Sequence, residues 1–202
     1  MKDREELKLV LLELGLVPYD FYFKDFVLFV EGDTEKEVIP ILAEKLGLED
    51  IIDRVIINPI GGGGKLESHF RIWLGILNIL PIEYLVLLDK HSEMHVVEVI
   101  KKLNLDSSRF YIFEKGSIED YYPVELVIKA LKDLFGIEIK EEEINLGIPM
   151  DKTIEHILDK YSKKRRGWKV DIGKYVASQM AEEQIPKEVK EILGRIKKQI
   201  SS

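Results

Sequence analysis

The sequence predicts an α/β fold: a central parallel four-stranded sheet flanked by helices, with a helical C-terminal extension. Three observations lead there. Short, almost continuously apolar β-rich runs recur through the first two thirds of the chain, as expected of strands buried on both faces. Stretches with helical spacing separate them, and parallel neighbours need such crossovers, right-handed and covering both faces. Beyond Pro123 the pattern turns mainly helical.

Element by element, Glu5 to Leu14 reads as an opening helix on the same core. Asp25 to Val30 (DFVLFV) is the first strand, broken by Glu31-Gly32-Asp33-Thr34. Thr34 followed by Glu37 has capping-box spacing, and Val38, Ile41, Leu42 and Leu46 continue at helical intervals until Gly47. Arg54 to Asn58 (RVIIN) is the second strand and Pro59 to Gly64 a loop. Leu66 to Leu80 is a helix with Phe70, Trp73, Leu74 and Leu77 on one side. Tyr84 to Leu88 (YLVLL) is the third strand, Met94 to Leu103 a helix, and Arg109 to Phe113 (RFYIF) the fourth strand. Helices follow at Val124 to Phe135, Thr153 to Tyr161, Val170 to Ala181 and Lys187 to Ile200. With no Gly/Ser linker and no repeat, residues 1–123 are expected to form the α/β core and 124–202 an extension packed on the same domain.

The composition narrows the classes. At 202 residues and 46% hydrophobic, the chain has ample material for a core and is not a disordered one. The N-terminus MKDREELKLV is no signal peptide, and no apolar run reaches the length of a membrane span, so a cytoplasmic protein is expected. The absence of cysteine removes disulfides, thiolate metal sites and cysteine nucleophiles together. A net charge of −7 argues against a generic nucleic-acid coat, but not against an enzyme that meets DNA through metal ions and one basic patch. Charged content of 33%, rich in Lys and Glu, has a thermophilic cast.

Ligands of open parallel sheets bind beyond the carboxyl ends of the strands, and acids recur there. Strand one runs into Glu31, with Glu35 a helical turn later; strand three runs into Asp89, with His91 and Glu93 behind; Glu114, Ser117, Glu119 and Asp120 follow strand four. Carboxylates gathered on one crest repel unless a cation or protons neutralise them. Oxygen ligands favour a hard ion, Mg²⁺ before Mn²⁺, and two such ions can clamp both oxygens of a phosphoryl displacement. Each acid has an ordinary reading too, since Glu35 and Glu37 suit any helix N-terminus.

FVEGDTEKEVIP, with its strand, Glu-Gly and second acid four residues on, resembles the first signature of Toprim domains. Within that superfamily the similarity is to the OLD family (overcoming-lysogenization-defect nucleases), whose ATP-hydrolysing part is followed by a Toprim domain that cuts DNA with two metal ions. LGLVPYDFYFKDFVLFVEG resembles the lead into that domain, FEKGSIEDYYP its later acidic motif, and GWKVDIGKYVASQMAEEQIP its closing helix. The resemblance implies a Rossmann-like Toprim fold in a stand-alone Toprim-like protein, a metal-dependent endonuclease using Mg²⁺ or Mn²⁺, two ions. Glu31 and Glu35 would be the first metal ligands, Glu31 doubling as the Toprim general acid or base. Asp89 would lead the central Asp-x-Asp motif, and Ser117 and Glu119 would complete the metal shell beside Asp120. Lys169 matches a family lysine that stabilises charge on the phosphate, with Lys174 the alternative register. DNA is the implied partner, with an ATPase, if used, on a separate chain, and a homodimer allowed.

Two departures matter. The central motif reads Asp89-Lys90-His91, so its second Asp is missing; His91 could ligate a metal and tilt preference towards Mn²⁺ or another transition ion, or Glu93 could supply the carboxylate. Gly61 to Lys65 (GGGGK) fails as a P-loop, because Pro59 and Leu66 stand where Gly and Ser/Thr are required, and reads as a crest loop. Between Lys160 and Lys174, Lys164, Arg165, Arg166 and Lys174 are the candidates for gripping a nucleic-acid backbone, with Trp168 either stacking on a base or buried. His69, His95 and His156 read as packing or surface residues, and Tyr121 to Pro123 as a turn. Three function classes therefore stand: a nuclease, a catalytically weakened DNA- or ATPase-docking module, and a phosphotransfer enzyme acting on small phosphate esters.

Overall fold

The computed structural model describes residues 24–62, 65–77 and 82–201. The opening helix expected at Glu5 to Leu14, Gly63, Gly64 and the last turn expected before Leu80 lie outside these residues. The strands are β1 (Phe26–Val30), β2 (Val55–Pro59), β3 (Glu83–Leu88) and β4 (Phe110–Ile112). All pairings are parallel and the sheet order is β2-β1-β3-β4. Phe26 sits level with Val55 and Glu83, and Val30 with Pro59 and Leu87, so β1 and β3 end together.

Two apolar layers account for the unbroken hydrophobicity of the strands. Phe26, Leu28 and Val30 of β1, with Leu85 and Leu87 of β3, face α1 (Asp33–Lys45) and the helices beyond Pro123. Val27 and Phe29, with Tyr84, Val86 and Leu88, face α3 (Leu66–Leu77) and α4 (Glu93–Leu103). The short α2 (Glu49–Ile52) leads into β2. In the second layer Phe29 meets the edge of Trp73, ring centroids 5.1 Å apart, and Phe70 lies 5.0 Å from Phe29. The first layer is closed by α5 (Val124–Phe135), α6 (Met150–Lys160), α7 (Trp168–Gln179) and α8 (Lys187–Ile200).

The tightest crossing is α7 on α1, and a glycine permits it. A Cβ added at Gly173 would lie 2.8 Å from the Tyr122 hydroxyl, 2.9 Å from Val38 Cγ2 and 3.0 Å from Thr34 Cγ2. That crossing carries the N-terminus of α7 to the carboxyl end of the sheet.

The α1 start differs from the expected Thr34/Glu37 box. Asp33 opens the helix, and the Glu35 carboxylate accepts the Gly32 N–H at 3.0 Å, so the capping acid is Glu35, two residues earlier. Glu37 instead pairs with Lys174 at 3.3 Å. Among the described residues no helix is long and apolar enough to cross a membrane.

Candidate metal centre

After β1 the chain turns to one face of the sheet through α1, and after β3 to the other through α4. The crevice of such a switch point opens between the two strand ends. The residues that follow the strands are Glu31 and Asp89, and they are joined: the Asp89 N–H donates to Glu31 Oε2 at 3.0 Å. The fully buried Ser92 donates its hydroxyl to the same oxygen at 2.9 Å. Gly61 and Gly62 donate their N–H groups to the Glu31 carbonyl, at 3.0 and 3.2 Å, and wrap the crest loop around it. His91 is exposed, with Nε2 3.1 Å from Glu31 Oε1 and Nδ1 4.0 Å from Asp89 Oδ2. One ligand atom from each of Glu31, Asp89 and His91 falls within 4.8 Å of the others.

These side chains line a basin of about 920 Å³, together with Glu35, Ser117, Glu119, Asp120, Asp151, Glu155, Trp168 and Lys169. Glu31, Glu35, Asp89 and Glu119 are all buried. Burial, then the Glu119 and Glu31 charges, push the Glu35 carboxyl up to about 7 against the backbone N–H of Gly32. Burial and the Glu35, Glu31 and Glu119 carboxylates push Asp89 up to about 9. Glu119 is raised by burial, with the Lys169 ammonium and the Ser117 hydroxyl opposing. Asp89 Oδ1 is buried without a hydrogen-bond partner among the described residues, and so is the Tyr122 hydroxyl, which lies in the field of Glu119, Glu35 and Asp89. A buried, unpartnered carboxylate oxygen beside three other acids fits a divalent cation with oxygen ligands. The donor set of the residues present suits the ions expected, and the imidazole of His91 adds a softer ligand.

Asp120 has another task. Its Oδ2 accepts the Ser117 N–H at 2.8 Å and hydroxyl at 3.2 Å, while Oδ1 accepts the Met150 N–H at 2.8 Å. It thus ties the loop after β4 to the start of α6 while also lining the basin. Gly116, at φ +151, makes room for it, since a Cβ there would stand 2.3 Å from Asp120 Oδ2.

The other predicted residues sort by distance from the basin. Lys169 lines it, its Nζ 2.6 Å from Asp151 Oδ2. Lys174 does not, being paired with Glu37 outside. Glu93 pairs with Lys90 at 2.8 Å and is not a basin residue, so it does not replace the missing carboxylate. Glu114 is exposed and contributes its N–H to the Tyr121 hydroxyl and to Glu188. Lys164 and Arg165 are exposed and do not line the basin, held by Glu155 at 2.7 Å and Asp171 at 2.9 Å; Arg166 has no ion pair among the described residues. Much of the basic stretch is therefore neutralised within the protein. Trp168 is 7% exposed and belongs to the core while also lining the basin wall.

Ser92 and Asp151 escaped the sequence reading. Ser92 is one turn past Asp89 and had a legible offset, but a lone serine there carries no chemical signature. Asp151 opens a helix, where an acid is ordinary.

A family profile described as "Overcoming lysogenization defect protein-like, TOPRIM domain" matches residues 22–90. The solved C-terminal region of the Xanthomonas campestris pv. campestris OLD protein superposes with a TM-score of 0.65, covering 90% of this chain and 96% of that one at 16% identity. The fold is that of an OLD-type Toprim domain. The Burkholderia pseudomallei OLD C-terminal region gives a TM-score of 0.61, with 89% of this chain and 100% of that one covered, also at 16% identity. In this Toprim fold the match to the profile spans β1 to the end of β3, and so contains Glu31, Glu35 and Asp89. Among curated proteins, one named peptidyl-tRNA hydrolase from Clostridium perfringens (strain SM101 / Type A) is 27% identical over 135 residues, 64% of this chain and 69% of that protein. The same name and figures hold for the protein of strain ATCC 13124.

Proposed function

We propose that the protein hydrolyses DNA phosphodiester bonds with divalent metal ions held at the end of its Toprim sheet. The observation that carries this reading is the buried set Glu31, Glu35, Asp89 and Glu119 around one basin, with Asp89 Oδ1 unpartnered. Glu31, Glu35, Asp89 and Glu119 would hold Mg²⁺ or Mn²⁺, with His91 and Ser117 beside them. Bound ions supply Lewis-acid stabilisation of negative phosphate charge and lower the pKa of water. The remaining work falls to the chain itself. The Asp89 N–H and the Ser92 hydroxyl orient Glu31, which acts as general acid or base at the reacting phosphate. Lys169 presents an ammonium to the charge that builds on the phosphate oxygens. Exposed Lys164, Arg165 and Arg166 would meet the DNA backbone, Lys164 and Arg165 exchanging intramolecular acids for phosphates at small cost because exposed pairs are worth about 1 kcal/mol or less.

The Clostridium perfringens relatives' name motivates a second reading, ester cleavage in peptidyl-tRNA. The exposed His91 against Glu31, 3.1 Å apart, favours it as a carboxylate–imidazole pair that works without metal. One experiment separates these readings from a docking module or a phosphoesterase. Supercoiled plasmid, a generic phosphomonoester and a peptidyl-tRNA are each incubated with the protein in Mn²⁺, Mg²⁺ or EDTA. Nicked plasmid in metal, absent in EDTA and with Glu31→Ala, is the expected result. Salt-sensitive DNA binding without cleavage in any metal overturns the nuclease reading, as does turnover confined to either other substrate.

A further inference from the structure

We infer that Asp151 is a positioning residue that fixes the Lys169 ammonium where a substrate phosphate enters the basin; this rests on the nuclease reading above. Lys169 is the second residue of α7, and the first turn of a helix is electrostatically the wrong place for a cation, because unsatisfied N–H groups make that end positive. Left alone, the side chain would swing into solvent. Its Nζ instead lies 2.6 Å from Asp151 Oδ2, and the Asp151 side chain is only 15% exposed. Glu119 and Glu155 add attraction, and together with Asp151 they hold the ammonium protonated against burial.

The position of Asp151 is itself fixed. It follows Met150, whose N–H is bound by Asp120, and Asp120 is bound in turn to Ser117 on the loop after β4. Hydrogen bonds from Ser117 to Asp120 and from Met150 to Asp120, the peptide link from Met150 to Asp151, and the Lys169–Asp151 pair thus connect the loop after β4 to the lysine of α7. Asp151 shares its helix N-terminus with favourable dipole energy, so holding it ionised there is easy. With one oxygen committed to Lys169, Asp151 acts through the lysine rather than as a ligand of the ions.

The test compares wild type with Asp151→Asn, Asp151→Glu and Lys169→Met, each first checked for a native thermal melt. Plasmid nicking is measured against DNA and Mn²⁺ concentration, and acylation of individual lysines is followed by mass spectrometry on metal-free protein. Expected for Asp151→Asn is a loss of about tenfold or more in kcat, with the KM for DNA and the Mn²⁺ activation constant unchanged. Asp151→Glu recovers part of kcat, Asp151→Asn adds nothing to Lys169→Met, and acylation of Lys169, but not of Lys174, rises several-fold in Asp151→Asn. An unchanged kcat, or an unchanged Lys169 acylation rate, overturns the inference. A Mn²⁺ activation constant that rises in step with the lost activity makes Asp151 a metal ligand and overturns it too. If wild type cuts no DNA in any metal the nuclease reading fails, and the acylation rates then decide by themselves whether Asp151 holds Lys169.

Discussion

Removing one charge from the acid basin should stabilise the metal-free protein. Glu35 is 4% exposed, and burial with its carboxylate neighbours moves it from 4.5 in an unfolded chain to about 7 in the fold. Between those pH values the folded state binds the proton and the unfolded state does not, so stability is fully present below about 4.5 and falls as pH rises through about 7. At about 1.4 kcal/mol per pH unit, the fold loses about 3 kcal/mol across that window through this group. Glu35→Gln keeps an acceptor for the Gly32 N–H, whose distance is 3.0 Å, and removes the charge. In EDTA the variant should match wild type near pH 4.5 and exceed it by up to about 3 kcal/mol at pH 8. Urea denaturation at a series of pH values measures this directly. Adding Mn²⁺ should narrow the gap, because ligand binding stabilises wild type by about 2.7 kcal/mol at a hundred times its Kd and the variant less. Equal stability of the two proteins at pH 8 in EDTA would refute the reasoning, since the acids would then not be repelling one another in a buried site.

Gly173→Ala should cost about 1–3 kcal/mol in the same denaturation experiment, despite alanine's better helix propensity, because the new methyl would press on Tyr122, Val38 and Thr34 at 3.0 Å or less. Nicking should fall as well, since Lys169 lies one turn along the displaced helix. Stability at or above wild type would mean that α7 has slack against α1. His91→Asp should lower the ratio of Mn²⁺-supported to Mg²⁺-supported nicking by replacing a nitrogen ligand with a hard oxygen beside Glu31. A ratio unchanged in a metal titration would remove His91 from the metal shell.

Local order was legible in the sequence. Hydrophobic periodicity is a short-range property, so β1, α5 and α8 follow from their own residues, to within a residue or none at each end. The parallel sheet follows too, because unbroken apolar strands separated by helices leave few other arrangements. The acids after β1, β3 and β4 could be suspected of meeting for the same topological reason, and Glu31, Glu35, Asp89 and Glu119 do share a basin.

Other features needed the tertiary structure. Glu93 lies in the sequence where a replacement carboxylate would be useful, yet helical geometry turns it outward to Lys90. Asp120 reads in the sequence as one more acid, and only the fold shows that its oxygens also bind Ser117 and Met150 and join two segments of the chain. The basic stretch looks free until its partners, Glu155 and Asp171, are known. The sequence by itself determined the order of strands and helices and the kinds of side chain at each strand end, because those depend on neighbours a few residues apart. Only the tertiary structure decided which acids remain unpaired, which lysine faces them and what holds it. Such pairings join groups as far apart as Glu31 and Asp89, and depend on strand register and on how closely α7 can approach α1.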